Sequence, residues 1–264
     1  MATPLRRALS LAVGWAMDRR IPTPLRAKAY RGFARAVGAD VAESRGPLEI
    51  YPTLGAFFVR RLVEGARVFP VDANVLPSPC DGAVQAVSRI EHGALLHAKG
   101  RAYPVEELLA GRASAAELEG GQAWIVYLSP RDYHRVHCPL DARLVDVAWA
   151  AGARYSVAPK VLERRRVLDV NERAVLSLES RGMRWYLVMV GALNVGRIRV
   201  VGATTGRSGQ LARPLEYARG DELARFEMGS TVVLVFPPRS FRAREGLVQH
   251  QPLRMGEPIG SRGY

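Results

Sequence analysis

"EMGSTVVLVF", residues 227–236, sets a Gly-Ser-Thr triplet directly ahead of a short apolar run. Thr231 to Phe236 is β-branched and apolar, the composition of a buried strand. Gly229 supplies backbone freedom, and Ser230 and Thr231 supply hydroxyls. Read alone, the triplet is a turn before a strand. Runs of the same texture lie upstream, at 83–89, 94–98, 124–128, 144–150, 174–179, 185–190 and 197–201. Hairpin breaks fall at Glu91-His92-Gly93 and Ser180-Arg181-Gly182. "VEELLAG" (105–111) reads as a helical turn or two. There is no internal repeat and no low-complexity tract. The predicted fold class is α+β, a β-rich body over 66–264 with a group of amphipathic helices in residues 1–65.

The chain has 264 residues, enough for one large domain or two small ones. Its 48% hydrophobic and 24% charged content is that of a globular protein, which excludes general disorder. The net charge of +13 points to an anionic partner, whether nucleic acid, an acidic ligand or an anionic lipid surface. Cys80 and Cys138 are the only cysteines, which is no disulfide framework and favours a reducing compartment. The early apolar run "LSLAVGWAM" (9–17) falls far short of the ~20 residues of a spanning helix. It follows Arg6 and Arg7 like a signal peptide, but "DRR" and no small-residue cleavage site come after it, so it is expected to stay on the chain.

Three helices are expected in the first 62 residues. Leu5, Leu9, Ala12, Val13 and Ala16 recur at helical spacing, with Trp15 beside them. A second helix starts at Thr23-Pro24, lines up Leu25, Ala29, Phe33 and Val37, and stops at Gly38. Arg26, Lys28, Arg31 and Arg35 take other positions on it. "TLGAFFVRRL" (53–62) is the third. These helices either pack on a core of their own with solvated arginines, or lie in an anionic membrane interface.

The densest polar stretch is "YLSPRDYHRVHCP" (127–139). Ser129 and Asp132 form an S-x-x-D capping pattern with Pro130 between them, and a short helical turn is expected after it. That turn places His134 and His137 on one side. His92, His97 and His250 stand alone and read as surface or structural. "SPCDG" (78–82) contains a common turn pair, Asp81-Gly82. Asp81, His137 and Ser230 are also the residue types of an orienter, a base and a nucleophile, and such triads follow geometry rather than chain order.

Taken together the chain resembles the phosphatidylserine decarboxylase family. The matching pieces run in family order over roughly residues 50–240. They are "FFVRRL" (57–62), "SPCDG" (78–82), "KGRAYPVEELL" (99–109), "YLSPRDYHRVHCP", "NERAVL" (171–176), "VGALNVGRI" (190–198) and "FEMGSTVVLVF" (226–236). The helical N-terminus looks like the longer bacterial membrane-associated type. One departure is Met228, where the family usually has leucine, a volume-conserving change.

The resemblance implies a chain that cuts itself between Gly229 and Ser230 into a large chain, 1–229, and a small chain, 230–264, that stay together as a heterodimer. Ser230 attacks the Gly229 carbonyl, His137 removes the hydroxyl proton, and Asp81 holds His137 in the right tautomer. Residue 230 ends as a covalent pyruvoyl group, the expected cofactor. Its carbonyl condenses with the amine of phosphatidylserine as a Schiff base and acts as an electron sink, giving phosphatidylethanolamine. His134 is the implied proton donor for that step. No metal is needed. The implied location is peripheral, on the cytoplasmic side of the cell membrane, with anionic phospholipid as partner surface; a homo-oligomer is compatible with the sequence, which does not fix the oligomeric state.

The rival enzyme reading is a zinc-dependent hydrolase using Cys80, His134 and His137, with Cys138 also metal-capable. That spacing matches no closed structural zinc site. A nucleic-acid binder fits the charge, but the chain has no zinc finger, RNP motif or aromatic-basic interleaving.

Overall fold

Alternating and continuous apolar runs after residue 74 become strands because each has a buried face to fill. In chain order they are β1 (Val75–Pro77), β2 (Gly82–Glu91), β3 (Ala94–His97), β4 (Arg101–Pro104), β5 (Gln122–Leu128), β6 (Arg135–His137), β7 (Ala142–Ala150) and β8 (Arg173–Ser180). They continue as β9 (Met183–Gly191), β10 (Ile198–Val200), β11 (Gly209–Tyr217), β12 (Glu222–Phe226), β13 (Ser230–Phe236), β14 (Phe241–Ala243), β15 (Pro252–Leu253) and β16 (Pro258–Arg262). The computed structural model describes residues 14–97, 101–192, 198–227 and 230–263. Gly229 and Met228, the first part of the N-terminal helix, the end of the expected 94–98 strand with the start of "KGRAYPVEELL", and the 193–197 part of "VGALNVGRI" therefore lie outside the described residues.

Ten strands form one antiparallel sheet in the order β11-β7-β8-β9-β13-β5-β2-β3-β4, with β15 paired to β2. Two three-stranded sheets, β10-β12-β6 and β1-β16-β14, accompany it. The predicted β-rich α+β class is what the structure shows. The two predicted hairpin breaks are two-residue turns with left-handed residues, His92 (φ 53°) with Gly93 (φ 68°), and Arg181 (φ 48°) with Gly182 (φ 79°). Two successive positive φ values match the twist of the flanking strands.

β13 is central, flanked by β5 and β9 along nearly its whole length. Every residue in it is buried. Val232, Leu234 and Phe236 join one core cluster, while Val233 and Val235 join the cluster on the other face. Each such side chain contributes about 1.5–3 kcal/mol on burial, so this segment is held from both faces and both edges.

The N-terminal helices differ in detail from expectation. Helix Thr23–Val37 does end at Gly38, whose φ of 77° is the left-handed cap that glycine adopts without penalty. Its buried face is Ala27, Tyr30 and Ala34, however, and Leu25 is 56% exposed. Tyr30 takes the core position because its ring stacks on Phe57 at 4.8 Å and its hydroxyl donates to Tyr51 O at 2.7 Å. The third helix is only Leu54–Phe58, capped by Thr53 Oγ1 accepting from Ala56 N at 3.0 Å. It stops because residues 61–63 pair instead with 43–45: Arg45 N donates to Arg61 O and Val63 N to Glu43 O. Ala27, Tyr30, Leu48, Tyr51 and Phe57 form a small core separate from the two sheet clusters.

Candidate active site

One end of the central sheet gathers the chemically interesting segments. Ser230 opens β13 opposite Leu128 on one side and Gly191 on the other. Across β5, Ala83 pairs with Tyr127, so residues 81–82 enter the sheet at the same end as Ser230. Gly82 is required there: a Cβ on it would sit 2.4 Å from Tyr127 O, a backbone atom that cannot give way. The chain leaving β5 turns through 129–132 and returns as β6, which pairs with β12. Phe226 N donates to His134 O at 2.9 Å, tying His134 to the segment that leads into Ser230. His137 N donates to Pro79 O at 2.8 Å, tying it to the "SPCDG" loop. Backbone pairing thus draws the segments carrying Asp81, His134, His137 and Ser230 to one region.

The side chains are arranged differently from the sequence reading. No helical turn follows Asp132. The S-x-x-D pattern closes a tight turn instead, with Asp132 Oδ2 accepting from Ser129 N at 2.6 Å and Ser129 Oγ at 2.7 Å. Residues 135–137 then run as a strand because β12 offers them a ladder. His134 and His137 consequently do not share one side of a turn. The His134 ring is fully buried against Phe58, centroids 4.0 Å apart, whereas His137 lies beside Tyr133 and Phe69.

His137 does not receive its orientation from Asp81. Its Nδ1 bonds Gly220 O at 2.7 Å and its Nε2 the Tyr133 hydroxyl at 3.2 Å. A carbonyl partner fixes Nδ1 as the protonated nitrogen, so the neutral ring keeps Nε2 as its basic atom. Burial lowers the His137 pKa and pushes the Tyr133 hydroxyl up to about 12, so Tyr133 is the donor of that pair. Asp81 accepts from Arg67 with both oxygens and from Met255 N at 2.8 Å. It therefore fixes the loop that carries it to the C-terminal segment.

His134 has the same tautomer for the same reason: Nδ1 bonds Asp132 O at 2.8 Å. Burial depresses its pKa to about 3, opposed by that carbonyl and helped by nearby Arg60. Among the described residues its Nε2 is a buried acceptor with no partner, and Ser230 Oγ and Thr231 Oγ1 are buried hydroxyls with no partner. An unmade buried hydrogen bond costs about 1–3 kcal/mol, so three in adjoining segments need a reason beyond folding.

Several residues here were invisible to pattern reading. Arg67, Glu43 and Gly220 sit in turns and loops with no periodicity to mark them, and Tyr133, though inside the recognised motif, was not singled out as a partner of His137. Arg135, inside the recognised motif, pairs with Glu222 on β12 and donates through Nε to Val59 O at 2.9 Å. The metal reading loses its ligand set: among the described residues no three His, Cys, Asp or Glu side chains are grouped to hold an ion. Cys80 and Cys138 are free and buried, and burial raises both thiols, Cys138 to about 12, away from the thiolate form a metal needs.

The family model for phosphatidylserine decarboxylase matches residues 54–261. The chain belongs to that family. It is similar to the phosphatidylserine decarboxylase proenzyme of Myxococcus xanthus, 39% identical over 97% of this chain and 94% of the relative. It is likewise similar to the proenzymes of Halorhodospira halophila, 41% identical over 91% and 86%, and of Pseudomonas aeruginosa strain LESB58, 37% identical over 94% and 91%. This family member is thus an enzyme, a decarboxylase, and the matched span takes in the segments carrying Asp81, His134, His137 and Ser230. No helix among the described residues is long and apolar enough to cross a membrane.

Proposed function

We propose that this decarboxylase converts phosphatidylserine to phosphatidylethanolamine at a pyruvoyl group made from its own Ser230. The observation that carries the reading is the Ser230 hydroxyl, fully buried and without a partner among the described residues at the first position of a central strand. Stability alone would favour alanine or valine there. A nucleophile kept dry beside its upstream peptide is a reason to retain serine. The name proenzyme, carried by the relatives, fits a precursor that matures by cutting.

In maturation, Ser230 Oγ bonds to the carbonyl carbon of residue 229 and the peptide C–N bond breaks, giving an ester. Loss of the residue-230 Hα proton then breaks its Cβ–Oγ bond and frees chain 1–229 as a carboxylate. Water replaces the nitrogen left on residue 230, which departs as ammonia. His137 takes the hydroxyl proton at Nε2, the atom now bonded to Tyr133, with Gly220 O in the orienting position expected of Asp81. Asp81 and Arg67 instead hold the loop against which His137 rests.

When present, the pyruvoyl group supplies a carbonyl for the substrate amine and an electron sink for the carbon that loses carbon dioxide. His134 handles protons for that step at Nε2. The substrate arrives as an ammonium, and Nε2, without a partner among the described residues, accepts a hydrogen bond from it and so holds that proton beside the carbon left electron-rich. The free Nε2 also favours a second division of labour in which His134 serves both steps.

Residues 14–65 bring the site to its lipid. Trp15, Leu25 and Ile50 are 60%, 56% and 55% exposed, with Lys28, Arg31 and Arg35 exposed nearby. Anionic lipid attracts each such basic residue by roughly 1 kcal/mol. The enzyme would then work peripherally, on the cytoplasmic face of the cell membrane, as a heterodimer of its own two chains. Carbon dioxide release from phosphatidylserine vesicles, abolished by a carbonyl-trapping hydrazine, tests the reading. Release that survives the hydrazine would rule out a catalytic ketone.

A further inference from the structure

Arg60 is a buried cation at this end of the molecule with no acid partner among the described residues, whereas Arg173, also buried there, spends its guanidinium on the carbonyls of Leu108, Asn171 and Glu107. It is 4% exposed, its Nε has no hydrogen-bond partner, and its guanidinium makes no ion pair among the described residues. Its guanidinium carbon lies 5.2 Å from the Phe57 ring. The neighbouring carboxylates are already matched: Asp81 by Arg67, and Glu43 by Arg67 and Arg254. Burial lowers the Arg60 pKa, against the raising influence of Tyr51, Asp81, Glu43 and Tyr133 nearby. A buried guanidinium with an orphaned N–H is costly, and an anion would complete it.

Its position says which anion. Arg60 follows Phe58, whose ring packs on His134, and it is near enough to oppose protonation of His134. An anion bound to Arg60 therefore lies beside the proton-handling histidine. Phosphatidylserine carries two anionic groups. Its carboxylate leaves as neutral carbon dioxide, and a cation fixed on it would stabilise the ground state over the transition state. Its phosphodiester keeps its charge throughout, so a cation there anchors and aligns without opposing the reaction. Resting on the decarboxylase reading above, we infer that Arg60 binds the phosphodiester of the substrate headgroup and sets its position relative to His134.

The test uses the mature enzyme with monomeric dihexanoyl phosphatidylserine. Arg60→Gln is expected to cut itself into two chains as wild type does, but to lose at least tenfold in kcat/KM, mostly through KM. Arg60→Lys, which keeps the charge without the fork, should fall between. Glycerophosphoglycerol, a phosphodiester with neither amine nor carboxylate, should inhibit wild type competitively and Arg60→Gln far less. Propionate, a carboxylate alone, should not distinguish the two. Unchanged kinetics in Arg60→Gln, a discrimination shown by propionate instead, or failure of both variants to cut overturns the inference. Absence of carbon dioxide from wild type would remove the decarboxylase reading itself, a result separable from all of these.

Discussion

Arg67 grips Asp81 by both carboxylate oxygens, Nε to Oδ1 at 2.8 Å and Nη2 to Oδ2 at 2.6 Å, and holds Glu43 with the same guanidinium. The Arg67 and Asp81 side chains are 6% and 10% exposed. The bonds to Asp81 and Glu43 outweigh burial and raise the Arg67 pKa, and the bond to Arg67 lowers that of Glu43. Removing one partner leaves buried charge uncompensated, which costs about 3–5 kcal/mol. Arg67→Ala should therefore lower stability by that order and slow self-cutting, as read by denaturant titration and by the fraction of uncut chain. Unchanged stability would mean that the network is looser than its distances indicate.

The two histidines should separate by phenotype. His137→Ala is expected to remain a single uncut chain, and His134→Ala to cut normally yet release no carbon dioxide. Gel analysis and a carbon dioxide assay on the same preparations read both. A folded but uncut His134→Ala would move the maturation base to His134, whose Nε2 is the unpartnered one.

Burial of His134 also predicts an acid limit. Its folded pKa, about 3, lies below the ordinary value of 6.5, so the unfolded chain binds the proton first. The contribution is fully present above pH 6.5 and is lost as pH falls toward 3, at no more than about 1.4 kcal/mol per pH unit. Stability of uncut Ser230→Ala should fall on acidification from pH 7 to 4, and less steeply once His134→Gln is added. Equal slopes would show that the ring is not buried neutral.

For membrane docking the structure refines the obvious experiment. Deleting residues 1–40 would also strip Tyr30 from Phe57 and expose that small core. Trp15→Glu with Leu25→Glu changes only exposed side chains. The double variant should still cut itself but sediment several-fold less with vesicles containing phosphatidylglycerol. Wild-type sedimentation would argue that these helices simply cap the protein.

Much of this architecture could be read from residue order. The β8–β9 hairpin was legible because Arg181-Gly182 follows one apolar run and precedes another, and β13 because six apolar or β-branched residues leave few alternatives. β6 was not, because the signal of a capping turn at Ser129–Asp132 ignores that β12 waits to pair with Arg135–His137. Likewise "FFVRRL" carries helical periodicity, but its second half is drawn into pairing with residues 43–45. Asp81, His134, His137 and Ser230 were recognisable as residue types in a family pattern. Their partners were not: Arg67 reaches Asp81 across 14 residues, and Gly220 O reaches His137 across 83, distances over which no local pattern runs.

Intact-mass spectrometry of wild type beside Ser230→Ala tests the central claim most directly. Wild type should give two chains, 1–229 and 230–264, whose summed mass equals the precursor plus one water less one ammonia, and Ser230→Ala should give one uncut chain. A single full-length wild-type mass in a preparation that releases carbon dioxide, or two chains from Ser230→Ala, would contradict it.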